Sequence, residues 1–299
     1  MKLKTKLVVA TALLGLAATS AQATTYVDIA GVADPVYTFD WNPGNALAVG
    51  AIPLTSGADF TLYYQSRLAN FNNSEGDPIT TNGGLNANYE ITLVGGFGET
   101  PTVSAGGIDA SFALDQTNTT NFFRMYYDTA NDSNALSGTG FTNGSLILSG
   151  HVTYATGSFR VDTLDPNGIV QPLDGFGIDN WAGTSTVSGT GSTKATVAVD
   201  SYDSSYFITT PNQFLIQFLY NTSNILPFNQ VNPSQLFTDV NGTTFAPNVG
   251  TINGITGPDM LFQADANSSP VVTPEPSTMV LLGAGLFSLS VFARRRKEK

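Results

Sequence analysis

The sequence predicts an all-β domain, an antiparallel β-sandwich or jelly-roll-like fold, flanked at either end of the chain by a short apolar helix. Three observations point there. Helical periodicity is nearly absent between the two ends, and short alternating segments recur in its place. Asn-Gly pairs at Asn82, Asn143, Asn167, Asn241 and Asn253 punctuate the chain, and each favours a turn that needs positive φ. Gly, Ser, Thr and Asn are abundant while Lys is almost absent from the central region, a turn-rich β composition.

The elements follow in chain order. Lys2, Lys4 and Lys6 precede an apolar run over residues 7–18, and Ala21-Gln22-Ala23 supplies a small-x-small cleavage site. This is the layout of a secretory signal peptide over residues 1–23, with signal peptidase as the implied partner. The alternative is an uncleaved anchor, for which the run is short. Strand-like alternation then covers residues 37–41 and, less cleanly, 60–64. Residues 89–94, 121–127, 145–154, 158–161, 193–199 and 214–220 read similarly. Residues 185–192 are small and polar and could be a linker. They are read as a loop within one domain, because strand patterning resumes at Thr193. Residues 229–257 are rich in Asn, Pro and Gly and read as irregular. The domain is expected to span 24–266, with a spacer over 267–273.

Removing both ends sharpens the charge. Between residues 24 and 273 there are 21 acidic side chains against four basic ones, Arg67, Arg124, Arg160 and Lys194, a net charge of −17 against −11 for the whole chain. Such a surface repels nucleic acid and anionic lipid and favours cations and neutral glycans. The chain has no Cys, which excludes disulfide staples, thiolate chemistry and Cys-ligated metals. The shortage of Lys also bears on the sheet edges, which Lys often protects. The sheet must use Pro, Gly-rich loops or bulges instead, or leave an edge open for assembly.

Candidate chemistry is sparse. The one histidine, His151, alternates with apolar neighbours and reads as the polar face of a strand. No Gly-x-Ser-x-Gly nucleophile elbow accompanies it. A glycosidase needs two carboxylates flanking a sugar bond, and the three glutamates between residues 24 and 273, Glu75, Glu90 and Glu99, show no telling spacing among the many aspartates. Asp162, Asp165 and Asn167, followed by Asp174 and Asp179, cluster oxygen ligands with glycines. Calcium takes six to eight such oxygens, so these residues are candidate calcium ligands, the alternative being plain turn formation. No other cofactor is expected. Trp41, Trp181 and the pairs Tyr63-Tyr64 and Tyr126-Tyr127 are the available platforms for stacking on sugar rings, although most aromatics of a β domain belong to its core.

The C-terminus is the most specific segment. Pro274-Glu275-Pro276 precedes an apolar run over 279–293, which ends at Arg294, Arg295, Arg296 and Lys297. The run sits at the short end for a transmembrane helix, and the basic cluster would stay cytoplasmic. Everything before Pro274 would then lie outside the inner membrane, with the helix holding the precursor there transiently. The tail over 274–299 resembles the PEP-CTERM sorting signal of Gram-negative bacteria, which implies exosortase as a second processing partner.

Two internal segments extend the resemblance. Residues 39–50, Phe-Asp-Trp-Asn-Pro-Gly-Asn-Ala-Leu-Ala-Val-Gly, are similar to the early signature of flocculation-associated PEP-CTERM proteins. Residues 259–269, Asp-Met-Leu-Phe-Gln-Ala-Asp-Ala-Asn-Ser-Ser, are similar to their closing strand, with Pro270 where an aromatic is expected. The resemblance implies an exported protein at the cell surface or in the exopolysaccharide matrix that helps cells form flocs or biofilm. It brings no catalytic residue and no cofactor. Two other readings belong to different classes: a lectin-like glycan-binding module without a direct aggregation role, and an exported polysaccharide hydrolase.

Overall fold

The computed structural model describes residues 26–51, 54–105, 109–134, 139–161, 189–221 and 260–272. The fold set out below is that of the compact unit Tyr26–Pro270. Among the described residues there is no helix, and every registered strand pair is antiparallel. The all-β antiparallel class expected from the turn-rich composition is the class observed.

β1 (Thr38–Val49) pairs with β2 (Phe60–Asn72), and β2 with β3 (Glu90–Val103). β4 (Asp109–Leu114) and β5 (Asn121–Asp128) share the next position. β5 pairs with the first part of β3 and β4 with its last part, and both pair onward with β6 (Ser145–Val161). β7 (Gly189–Tyr202) and β8 (Gln213–Asn221) follow in order. β8 neighbours β9 (Met260–Val271), and β9 returns to pair with β1. The sheet is therefore closed: the last strand is hydrogen-bonded to the first. Apart from β4 and β5, which share one position, successive strands are neighbours, without the crossing connections of a jelly roll.

Closure answers the edge question raised by the missing lysines, because a closed sheet has no edge strand to protect. Two walls nevertheless meet face to face, as sandwich layers do. Phe39 on β1 and Phe123 on β5 both pack on Phe214 of β8, with ring centroids 5.5 and 6.2 Å apart, and Tyr64 on β2 meets Phe218 of β8 at 5.0 Å. Burying each such ring contributes roughly 2–3 kcal/mol. A small space among Leu93, Phe97, Val197 and Ile216 is lined by apolar side chains, and buried aromatic and aliphatic side chains make up the core around it.

The β1–β9 seam is built from an irregular sequence. Asn42-Pro43-Gly44 cannot continue a regular ladder, since Pro lacks an N–H donor, and the register shifts between Trp41 and Asn45. Pro is tolerated in a strand at such a bulge. A Cβ at Gly44 would sit 2.2 Å from the Gln65 carbonyl oxygen, so only glycine lets the bulged backbone lie against β2. Ser66 fixes the bulge by donating its hydroxyl to the Asn42 carbonyl. Across the seam the buried Trp41 indole N–H donates to Ser268 Oγ at 2.9 Å.

Three expectations shift. Residues 189–192 belong to β7 rather than to a loop, and 145–161 is one bulged strand rather than two segments. Residues 267–271, read as the start of a spacer, are the second half of β9, with Asn267 opposite Asp40 and Ser268 opposite Phe39.

Candidate functional site

The sequence-derived site residues divide sharply. The cleavage residues Ala21 and Ala23, the calcium candidates Asp162, Asp165, Asn167, Asp174 and Asp179, the aromatic Trp181, and the tail residues Pro274, Glu275, Pro276, Arg294, Arg295 and Arg296 lie outside the described residues. The other aromatic platforms are mostly core. Trp41, Tyr63, Tyr64 and Tyr126 are buried, and Tyr127 is enclosed between Tyr89 and Tyr206, each at 4.8 Å.

His151 stands on the outer face of β6, half exposed, with Nδ1 at 2.9 and 3.0 Å from the two Asp200 oxygens. A Ser-His-Asp triad would need a hydroxyl at the other ring nitrogen. Among the described residues no side chain hydrogen-bonds there, and Ser149 and Ser201 bond to each other instead at 2.7 Å.

The glutamates do not converge. Glu75 is exposed in the turn after β2. Glu90 and Glu99 are nine positions apart on β3 and therefore on opposite faces. Glu99 points into the core, where Thr193 Oγ1 of β7 donates to it at 3.4 Å. Burial pushes its carboxyl up to about 8, with the Thr193 hydroxyl opposing the shift.

Glu90 faces outward beneath the chain that follows β5 and is fully buried. It accepts from Ser133 N at 2.9 Å and Ser133 Oγ at 2.5 Å, with Arg67 Nη1 at 3.9 Å. Asp128, its register partner, and Asp132 each bring an oxygen within 4.8 Å of the others. This is a hard-oxygen set of the kind calcium accepts. Asn143 already donates to both Asp132 oxygens at 3.0 Å, so protein donors relieve much of the mutual repulsion.

The outer faces of β6, β7 and β8 are different in character. Register places Tyr154, Thr196 and Leu215 in one row, and Thr156, Lys194 and Gln217 in the next. Two further rows run through Ser192 and Thr190 of β7 to the Arg160 end. Tyr154 is 57% exposed and Leu215 51%. Lys194 is exposed and, among the described residues, has no ion-pair partner. No carboxylate occupies these four rows; the nearest on β4, Asp109, pairs with Arg160 at 3.7 Å, and Asp200 lies past the Tyr154 end with His151. Sequence reasoning passed over Tyr154 because alternation alone does not tell the outward face of a strand from the inward one. The bulge between Val152 and Tyr154 decides it.

Among the described residues, fold and site together define a class: an all-β domain with a closed antiparallel sheet, an apolar core and an outer β6–β8 face of mixed polar and apolar side chains whose four rows hold no carboxylate. Residues 272–297 match the family model of the PEP-CTERM protein-sorting motif. The motif marks the chain as an exported, exosortase-processed protein. Neither the curated proteins nor the solved structures give a match to the chain. Among the described residues no helix is long and apolar enough to cross a membrane.

Proposed function

We propose that the chain is a non-enzymatic surface or matrix protein that promotes cell aggregation by associating with exopolysaccharide. The observation that carries this reading is the sorting motif at residues 272–297, which supports export and exosortase processing of the domain. Signal peptidase removes residues 1–23, the C-terminal run holds the precursor at the inner membrane, and exosortase releases the domain to the cell surface or matrix. The architecture suits the role. A sheet without edges resists unwanted strand pairing, and the outer hydroxyl and amide side chains offer hydrogen bonds to sugar. A lectin-like module that binds glycan without gathering cells is the second reading, favoured by the exposed Tyr154 among those polar side chains.

Co-sedimentation tests the association. The exported full-length product, mixed with exopolysaccharide from its own host, is expected to pellet with the polymer without shortening it. Protein that stays in the supernatant contradicts the proposal, and polymer shortened by the wild-type protein points to a hydrolase instead.

A further inference from the structure

We infer that the outer face of β6–β8 around Tyr154 and Lys194 is a binding surface for an acidic polysaccharide, one whose sugars carry carboxylates. The inference rests on the exopolysaccharide reading above and deepens it by naming the face and the polymer class. Four observations converge. The domain carries 21 acidic side chains against four basic ones, yet these four rows contain no carboxylate. They hold Lys194, without an ion-pair partner among the described residues, and Arg160, 68% exposed and paired on its β4 side with Asp109. Both cations point outward from one continuous sheet surface, on neighbouring strands, since Thr156 is opposite Lys194 and Arg160 opposite Thr190. The field of the whole domain repels a polyanion, but at physiological salt that repulsion is screened beyond about 8 Å. A carboxylate seated on this face therefore meets the local cations first.

The remaining side chains supply what a sugar needs. The Tyr154 ring offers an apolar body with a polar tip. It lies diagonally beside Lys194 on the same face, within reach of one ligand unit. Leu215 stands two strands away from Tyr154, roughly 10 Å across the sheet, with Thr196 between them. Thr156 and Gln217 flank Lys194 with hydrogen-bonding groups. These two adjacent rows of ring, hydroxyls, amide and cation fit a polymer with apolar sugar faces, hydroxyls and regularly spaced carboxylates. A second copy of this acidic domain would bring mostly repulsive charge to the same place.

The test is affinity electrophoresis of the exported full-length product in gels containing polygalacturonate or dextran. The wild-type protein is expected to be retarded by polygalacturonate and not by dextran, and less so as salt rises. Lys194→Glu should weaken that retardation by about tenfold or more, the loss of a charge-assisted contact. Lys194→Arg should retain it, and Tyr154→Ala should weaken it severalfold, with melting temperatures unchanged in all three. Equal retardation of wild type, Lys194→Glu and Tyr154→Ala overturns the assignment of the face. Retardation by dextran alone overturns the acidic class. Self-association that Lys194→Glu abolishes, with no polymer retardation, assigns the face to a second copy and overturns the inference. Co-sedimentation of all variants with host exopolysaccharide separates the two levels. If they pellet as the wild type does, the face is wrong and the function reading stands. If the wild type itself fails to pellet, both fall.

Discussion

Glu99 sits in the core of a domain whose other described carboxylates lie outside or are paired, and its proton is a stability determinant. Burial raises its pKa from 4.5 to about 8. Between those two values the folded protein holds a proton that the unfolded chain has released. Stability from this group is fully present below about pH 4.5 and is lost as pH rises towards 8. Each tenfold gain in proton affinity on folding corresponds to about 1.4 kcal/mol, so the whole window is worth several kcal/mol. Glu99→Gln, which keeps the side chain's shape and cannot ionise, should flatten the fall in melting temperature between about pH 5 and pH 8.5. Parallel curves for the two proteins would show that Glu99 does not govern it. The glutamate is plain in the sequence, but its inward orientation depends on the parity of β3. The buried tryptophan and tyrosines show the same limit. Alternation marks Trp41 and Tyr64 as strand residues, and only the register shows that both rings are buried, Tyr64 against Phe218 and Trp41 at the β1–β9 seam.

At the scale of elements, the two stretches that carry the family resemblance form one structural unit over their described residues 39–50 and 260–269. They form most of β1 and β9, hydrogen-bonded from Phe39–Ser268 through Ala48–Met260. Nothing in the linear sequence announces that residues more than 200 positions apart close the sheet. The bulge at Asn42-Pro43-Gly44 and the Trp41–Ser268 bond pin that seam. Ser268→Ala leaves the buried indole N–H unpaired and should destabilise the protein by about 1–3 kcal/mol, read as a loss of several degrees in melting temperature. An unchanged melting temperature would mean that the seam does not depend on this bond. Strands with clear alternation were legible, and strands built on glycine were not. Gly157 and Gly191 look like loop residues, yet a Cβ at Gly191 would sit 2.3 Å from the Ser158 carbonyl oxygen and one at Gly157 would sit 2.2 Å from Thr193 Oγ1. They are glycine because β6 and β7 approach closely there. β4 is short and pairs only with the ends of longer strands, so its six residues left little pattern to read.

For the molecule as a whole, a closed acidic domain is coupled through the chain to a C-terminal address. The address was the most legible part of the sequence, because Pro-Glu-Pro, apolar run and basic stop are local and ordered. The binding face was the least legible, because it is assembled from three strands by register and is defined as much by absent carboxylates as by the residues present. In the proposed function, sorting delivers a domain that gathers cells. The settled fraction of host cells lacking this gene, complemented with either the intact chain or a chain carrying Pro274→Ala, Glu275→Ala and Pro276→Ala, puts that to the test. The intact chain is expected to restore settling, and the triple variant, exported but retained with its apolar run uncleaved, is expected not to. Cells that stay dispersed with the intact chain would show that the protein does not gather them.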